Sequence, residues 1–193
     1  MITALYLLAV QGLLGAFDTL YYHEWRARLP GRVPGTAAEL TLHGARDLVY
    51  AVLFATLPFV RYDGAWSWII VVLLLAEIVI TLADFAIEDR VRRPFGGVLP
   101  GERVTHALMG IVYGAALAHL VPEVLTSASR PTGLTAWDAP DPLRVVLPAL
   151  SLGVLLSGMR DIGAAFGPRW LGLPWVDGPV RRGHGGVSTR HRG

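Results

Sequence analysis

Apolar residues fill five long blocks, at about residues 2–22, 37–60, 65–89, 102–121 and 143–166. Each is close to the roughly twenty residues a helix needs to cross a bilayer. The segments between them, LPGRVPG, RPFGGVLPG and SASRPTGLTAWDAPDP, carry the Gly and Pro that stop helices. The pattern predicts an all-α fold: a polytopic membrane helix bundle of five transmembrane helices (I–V) within residues 1–166. Pro148 predicts a kink in helix V. The opening run MITALYLLAVQGLLGAF lacks the charged n-region and cleavage site of a signal peptide, so it reads as a retained first span. Residues 167–193 are rich in Gly and Arg and read as a largely disordered, basic tail, with His184 and His191 solvated in it.

Polar residues interrupt these blocks in helical register. Glu77, Thr81, Asp84 and Glu88 fall on one narrow face of helix III. Gln11, Asp18 and Tyr22 share a face of helix I, as do Glu39, His43, Arg46 and Tyr50 on helix II, and Glu102, His106 and Tyr113 on helix IV. Lipid offers such groups no partner, so each stripe should face the bundle interior. His23 and Asp89 fall off the stripes and read as interfacial, with His23 swinging in as a ligand the alternative, and His119 lies off-stripe at the far end of its helix. Gly110-x-x-x-Gly114 predicts close helix packing.

The stripes also repeat. Glu39, His43, Val49 and Tyr50 recur sixty-three positions on as Glu102, His106, Val112 and Tyr113. Gln11, Asp18, Tyr22 and Arg26 align sixty-six positions on with Glu77, Asp84, Glu88 and Arg92. Two repeated helix hairpins, I–II and III–IV, plus a fifth helix are the expected architecture. With about 1.5 Å of rise per residue, the stripes sort into three layers converging on one membrane face. Glu39, Glu88, Glu102 and Tyr22 form the mouth. Asp18, His43, Asp84 and His106 lie below it, and Gln11, Tyr50, Glu77 and Tyr113 lie deepest.

Composition narrows the chemistry. The 193 residues contain no cysteine, which excludes disulfides, thiolate metal sites and iron–sulfur clusters. All the positive charge is arginine, as in a GC-rich bacterial genome, and the net charge of +2 gives no footing for nucleic-acid binding. Arg26, Arg28, Arg32, Arg90, Arg92, Arg93 and Arg103 lie in or beside the connectors after helices I and III, whereas the opposite side has only Arg61, Arg130 and Arg144. The positive-inside rule then sets the N-terminus outside and the C-terminus in the cytoplasm of a bacterial inner membrane.

Two Glu-x-x-x-His pairs joined by carboxylates from two other helices make a mixed nitrogen and oxygen ligand set, suited to iron, manganese or zinc. In ligand type and in its two-plus-two helix logic this resembles the ferritin-like di-iron carboxylate proteins, whose motif is Glu-x-x-His. The resemblance implies a dinuclear metal centre, two irons foremost, with Asp18, Glu39, His43, Asp84, Glu88, Glu102 and His106 as ligands. Glu77, Tyr50 and Tyr113 would serve as catalytic proton or substrate contacts in the deeper pocket. The expected function is an integral membrane oxidoreductase acting on a hydrophobic substrate, a lipid or quinone, with membrane lipids as its surroundings. The alternatives are metal-ion or proton transport along the same path, a b-type haem held by His43 and His106, and a helix-bundle scaffold without chemistry. In that scaffold Arg46 and Asp47 join Glu88 or Asp84 in a buried ion-pair network that only fixes helix packing.

Overall fold

The structure, a computed structural model, describes residues 1–167, so the expectations for the tail, His184 and His191 included, lie outside the described residues. Five long helices dominate: α1 (Ile2–Phe17), α2 (Ala37–Thr56), α3 (Ser67–Arg92), α4 (Pro100–Ala128) and α5 (Asp141–Phe166). The chain leaves α1 without a break as a π-helix, Asp18–Ala27. Helix α2 stops at Thr56, short of the expected residue 60, because Pro58 restricts Leu57 and cannot donate to the ladder. Helix α4 runs on through Pro122 to Ala128, seven residues beyond expectation. Helix α3 extends to Arg92, which draws that arginine out of the predicted connector and into the helix.

Four helical segments are long and apolar enough to cross a membrane: Ile2–Ala27, Gly64–Phe95, Pro100–Ala128 and Asp141–Phe166. Helix α2 is not among them, since Glu39, Arg46 and Asp47 fall within its twenty residues. It is held instead by packing between α3 and α5. The distribution of polarity is the reverse of a water-soluble fold. Val72, Val79, Ile111 and Val145 are each more than 60% exposed, whereas Asp18, Glu39, Glu77, Asp84 and Glu102 are buried. A surface of this kind is matched to lipid contact.

The helices close into a ring in the order α1–α4–α3–α2–α5, with α5 returning to α1. Helix α5 therefore sits between α1 and α2, while α3 and α4 touch directly. The two expected hairpins are thus not packed alike, and the arrangement does not establish the repeat as a pair of hairpins. The α2–α5 contact is the closest. A Cβ on Gly44 would lie 2.6 Å from Ile162 and 2.9 Å from the Gly158 carbonyl, and one on Gly158 would lie 2.8 Å from the Asp47 Cβ, so both positions need glycine. A Cβ added at Gly110 or Gly114 would meet nothing within 4 Å, so no close packing inside the described chain requires glycine at either position.

At the end of the ring away from the π-helix, the connectors form a two-stranded antiparallel sheet. Strand β1 (Val60–Asp63) pairs with β2 (Gly133–Ala136), Val60 opposite Ala136 and Asp63 opposite Gly133. Asp63 is its anchor, accepting from Thr135 at 2.7 Å and from Arg61 and Arg130 at 3.2 Å. Gly64 follows with φ of +60° against Thr132, where a side chain has neither the conformation nor the room. Below the sheet the ring is filled by Leu5, Leu8, Leu53, Phe54, Ile70, Leu120 and Leu147. This apolar plug leaves the polar residues gathered at the other end.

Candidate metal centre

The π-helix decides which side chains reach the centre. In an α-helix, residues five apart point to different sides. The wider i→i+5 winding of Asp18–Ala27 brings Asp18 and His23 to the same side. His23 is 3% exposed, so the expectation that it sits at the interface is corrected. Its Nε2 lies 3.2 Å from Asp18 Oδ2 and 3.3 Å from Glu102 Oε1, yet is aligned for a hydrogen bond with neither. His106, one turn along α4 from Glu102, places Nε2 3.2 Å from the same Asp18 oxygen. One ligand atom from each of Asp18, His23, Glu102 and His106 lies within 4.8 Å of all the others.

That spacing can be compared with real coordination. Tetrahedral ligands about 2.1 Å from an ion stand roughly 3.4 Å from one another. The separations of 3.2 and 3.3 Å around His23 are near this value. Two imidazoles and two carboxylates form a donor set for iron, manganese or zinc. The Asp18 Oδ1 atom is buried without a hydrogen-bond partner among the described residues, as an unshared ligand oxygen would be.

Beside this group stands a second layer. His43 Nε2 lies 3.0 Å from Asp84 Oδ2, and Arg46 reaches that same oxygen at 3.5 Å. The His43 ring stacks on His23 with centroids 4.5 Å apart. Arg92, only 1% exposed, donates to Glu39 Oε1 at 2.6 Å and Glu102 Oε1 at 3.0 Å, with Glu88 Oε1 at 3.8 Å. Glu88 also approaches His106 Nδ1 at 3.6 Å. Asp18 of the first helix thus meets His106 of the fourth, and Asp84 of the third meets His43 of the second.

All seven residues expected as metal ligands are in this one cluster. Asp18, Glu102 and His106 belong to the convergent group, whereas Glu39, His43, Asp84 and Glu88 stand next to it. The charges do not cancel. Asp18, Glu39, Asp84, Glu88 and Glu102 face only Arg46 and Arg92, leaving three negative charges to be met by imidazolium or metal. In a buried site such an excess is costly.

Deeper in the ring, Tyr50 donates to Glu77 Oε1 at 3.0 Å, Thr81 donates to that oxygen at 2.9 Å, and Gln11 donates to the Tyr50 hydroxyl at 3.4 Å. Tyr113 is buried 6.1 Å from Tyr50, ring to ring, and its hydroxyl has no partner among the described residues. A cavity of about 40 Å³ lined by Tyr50, Glu77, His106 and Tyr113 connects this layer to the centre. A larger cavity, about 200 Å³, runs between α1, α2 and α5. Gly12, Gly15, Ala149 and Val154 line its walls, and Gln11, Arg46 and Tyr50 lie at its polar end. Leu20, 66% exposed, and Asp47 also line it.

Two members of the site escaped the stripes. His23 was hidden because an α-helical wheel misplaces every residue after Asp18, and nothing in DTLYYHEWRA spells out a π-helix. Arg92 was legible, since it continues the Asp84–Glu88 row at the next i+4 position. Asp89 is exposed in an ion pair with Arg103, and His119 is exposed, as expected of both. Arg160 pairs both with Asp161 and with Glu24 of the π-helix. Comparison with protein-family models, with curated proteins and with solved structures finds no match for this chain.

Proposed function

We propose that this protein is a membrane metalloenzyme, an oxidoreductase whose buried carboxylate and histidine centre acts on an apolar substrate drawn from the lipid phase. The observation that carries the reading is the convergence of Asp18 and His23 from the π-helix with Glu102 and His106 from α4, one ligand atom of each lying within 4.8 Å of the others. The acids of the cluster exceed its guanidinium groups by three, so an ion or protonated His23, His43 and His106 must balance them. Asp18 Oδ1, Glu39 Oε2 and Asp84 Oδ1 are buried without hydrogen-bond partners among the described residues. Iron is the ion we favour, and a bound ion would supply electron transfer or Lewis acidity.

The protein's own contribution is positional. Arg46 and Arg92 hold Asp84, Glu39 and Glu102 in place, and the apolar plug keeps water from the far end. Glu77, Tyr50 and Tyr113 form a proton-bearing row above the centre, reached through the cavity shared with His106. The lateral cavity with Gln11, Arg46 and Tyr50 at its polar end supports entry of an apolar molecule bearing a polar head, as a quinone or lipid would be. A haem between His43 and His106 is disfavoured, because His23 lies 4.5 Å from one ring and 6.4 Å from the other and takes space a macrocycle would need.

Transport is the second reading, and the polar path from Arg92 to Glu77 favours it. The filling of the opposite end by Leu5, Leu8, Leu53, Ile70 and Leu120 speaks against an open route. Two measurements separate the readings: Mössbauer and electron paramagnetic resonance spectra of iron-loaded protein, and metal uptake into proteoliposomes. A redox-active centre without uptake supports the enzyme. Uptake that depends on Glu77 and His106, from protein with no redox-active iron, would overturn it in favour of transport. We also propose that the arginine-rich end faces the cytoplasm of a bacterial inner membrane. Reporter fusions at Pro34 and Gly97 should both give a cytoplasmic signal, and an external signal from either would reverse the orientation.

A further inference from the structure

A third cavity is larger than both of those above. It has a volume of about 540 Å³ and opens at the polar end of the ring, between the π-helix, the loop after it and the turn joining α3 to α4. Four arginines line it: Arg26, Arg28, Arg32 and Arg92. Arg92 belongs to the buried network, but Arg26, Arg28 and Arg32 form no ion pair among the described residues. Glu102, the acidic residue in the lining, is already engaged by Arg92 and by the Leu99 amide. The cavity therefore presents three uncompensated guanidinium groups.

Their placement has two local causes. Arg28 closes the π-helix in the left-handed conformation, φ +53°, with its amide donating to the His23 carbonyl. That turn separates its side-chain direction from Arg26. Arg32 lies over the Phe95 ring, 4.8 Å from its centroid, a cation–π contact that fixes the guanidinium at the cavity wall. Like charges gathered this way repel each other unless an anion joins them. Guanidinium groups are planar forks that match the oxygens of a phosphoryl group in pairs.

We propose that this cup binds a phosphoryl group, the chemistry shared by an anionic lipid headgroup and a free phosphate. The cup shares Arg92 and Glu102 with the centre, but Arg26, Arg28 and Arg32 form no ion pair with any residue assigned to the ion, so their removal leaves that donor set in place. It also differs from general attraction of basic residues to membranes, because Arg90, Arg93 and Arg103 are exposed at the same end and lie outside the cup.

That contrast supplies the test. Calorimetric titration of the full chain in neutral detergent would use inorganic pyrophosphate, dihexanoyl phosphatidylglycerol and dihexanoyl phosphatidylcholine. Two triple variants would be compared: Arg26→Gln/Arg28→Gln/Arg32→Gln, and Arg90→Gln/Arg93→Gln/Arg103→Gln. We expect saturable binding of an anionic probe, weakened about tenfold or more in the first triple and less than about twofold in the second. Pyrophosphate binding identifies a free phosphate ligand; binding of phosphatidylglycerol alone identifies a headgroup. A measurement on the unaltered protein guards against misfolding of the variants: the anionic probe should bind in preference to phosphatidylcholine. Equal losses in both triples, or no preference for an anionic probe in the unaltered protein, would overturn the proposal.

Discussion

Replacing Arg92 with methionine removes the only guanidinium that touches Glu39, Glu88 and Glu102. At an effective dielectric near 20, contacts of these lengths attract by about 4 to 6 kcal/mol each. Those attractions do not add up to the effect, because burying the guanidinium and three carboxylates consumed most of them. What remains after the change is a set of buried acids with no guanidinium partner among the described residues, and breaking such a network costs about 3 to 5 kcal/mol. That corresponds to a fall of roughly 10² to 10⁴ in the folded-to-unfolded ratio. The assay is equilibrium unfolding of metal-free protein in mixed micelles with increasing sodium dodecyl sulfate, followed by far-ultraviolet circular dichroism. Adding Glu39→Gln to Arg92→Met should recover part of the loss, because the 2.6 Å partner no longer carries charge. Metal should also narrow the gap between Arg92→Met and the parent, since the ion supplies positive charge to Glu102. A loss below about 1 kcal/mol in metal-free protein, or no recovery in the double variant, would refute this account of the network.

Other parts of the fold respond to separate changes. Tyr50→Phe should cost about 1 to 3 kcal/mol in the same unfolding assay, because buried Glu77 loses a donor and Gln11 an acceptor. Gly158→Ala should destabilise by about 1 to 3 kcal/mol through its clash with Asp47 and the Gly44 carbonyl, whereas Gly114→Ala should be near neutral. Asp63 gives a pH dependence. Loss of solvent acts to raise its pKa, but donation from Thr135, Arg61 and Arg130 and the charge of Arg61 outweigh that, so the folded carboxyl is held below its usual 3.8. A depressed carboxyl contributes stability above its unfolded pKa and loses it as pH falls through the lower folded value. The thermal-stability difference between the parent and Asp63→Asn should therefore be steady above about pH 5 and shrink below about pH 4.

Helix existence and the inward stripes were legible because a membrane exaggerates them: lipid rejects polar groups, so any that recur at helical spacing must share an interior. Asp84, Glu88, Glu102 and His106 could be placed on that basis alone. What the period could not supply was a change of winding. The π-helix moves His23 into the centre, and in the same stretch Arg26, the repeat partner of buried Arg92, is exposed. The ring order was equally hidden, because hydrophobic stripes do not say which neighbour fills them. The glycines at 44 and 158, which bring α5 against α2, read in sequence as two isolated small residues. Gly110 and Gly114 show the converse: a packing motif by spacing, yet a Cβ at either would meet nothing within 4 Å in the described chain.

The central claim is that Asp18, His23, Glu102 and His106 hold an ion, and metal content measures it most directly. Full-length protein would be purified in detergent, loaded anaerobically with ferrous iron, dialysed and assayed by inductively coupled plasma mass spectrometry. Parallel samples would carry His23→Ala, His106→Ala and, as a control on an exposed histidine of α4, His119→Ala. The account predicts about one to two ions per chain in the parent and in His119→Ala, and a clear fall in His23→Ala and His106→Ala with the helices still folded. Parent protein that retains no iron, manganese or zinc, or that keeps its full content in the His23→Ala and His106→Ala variants, would contradict it.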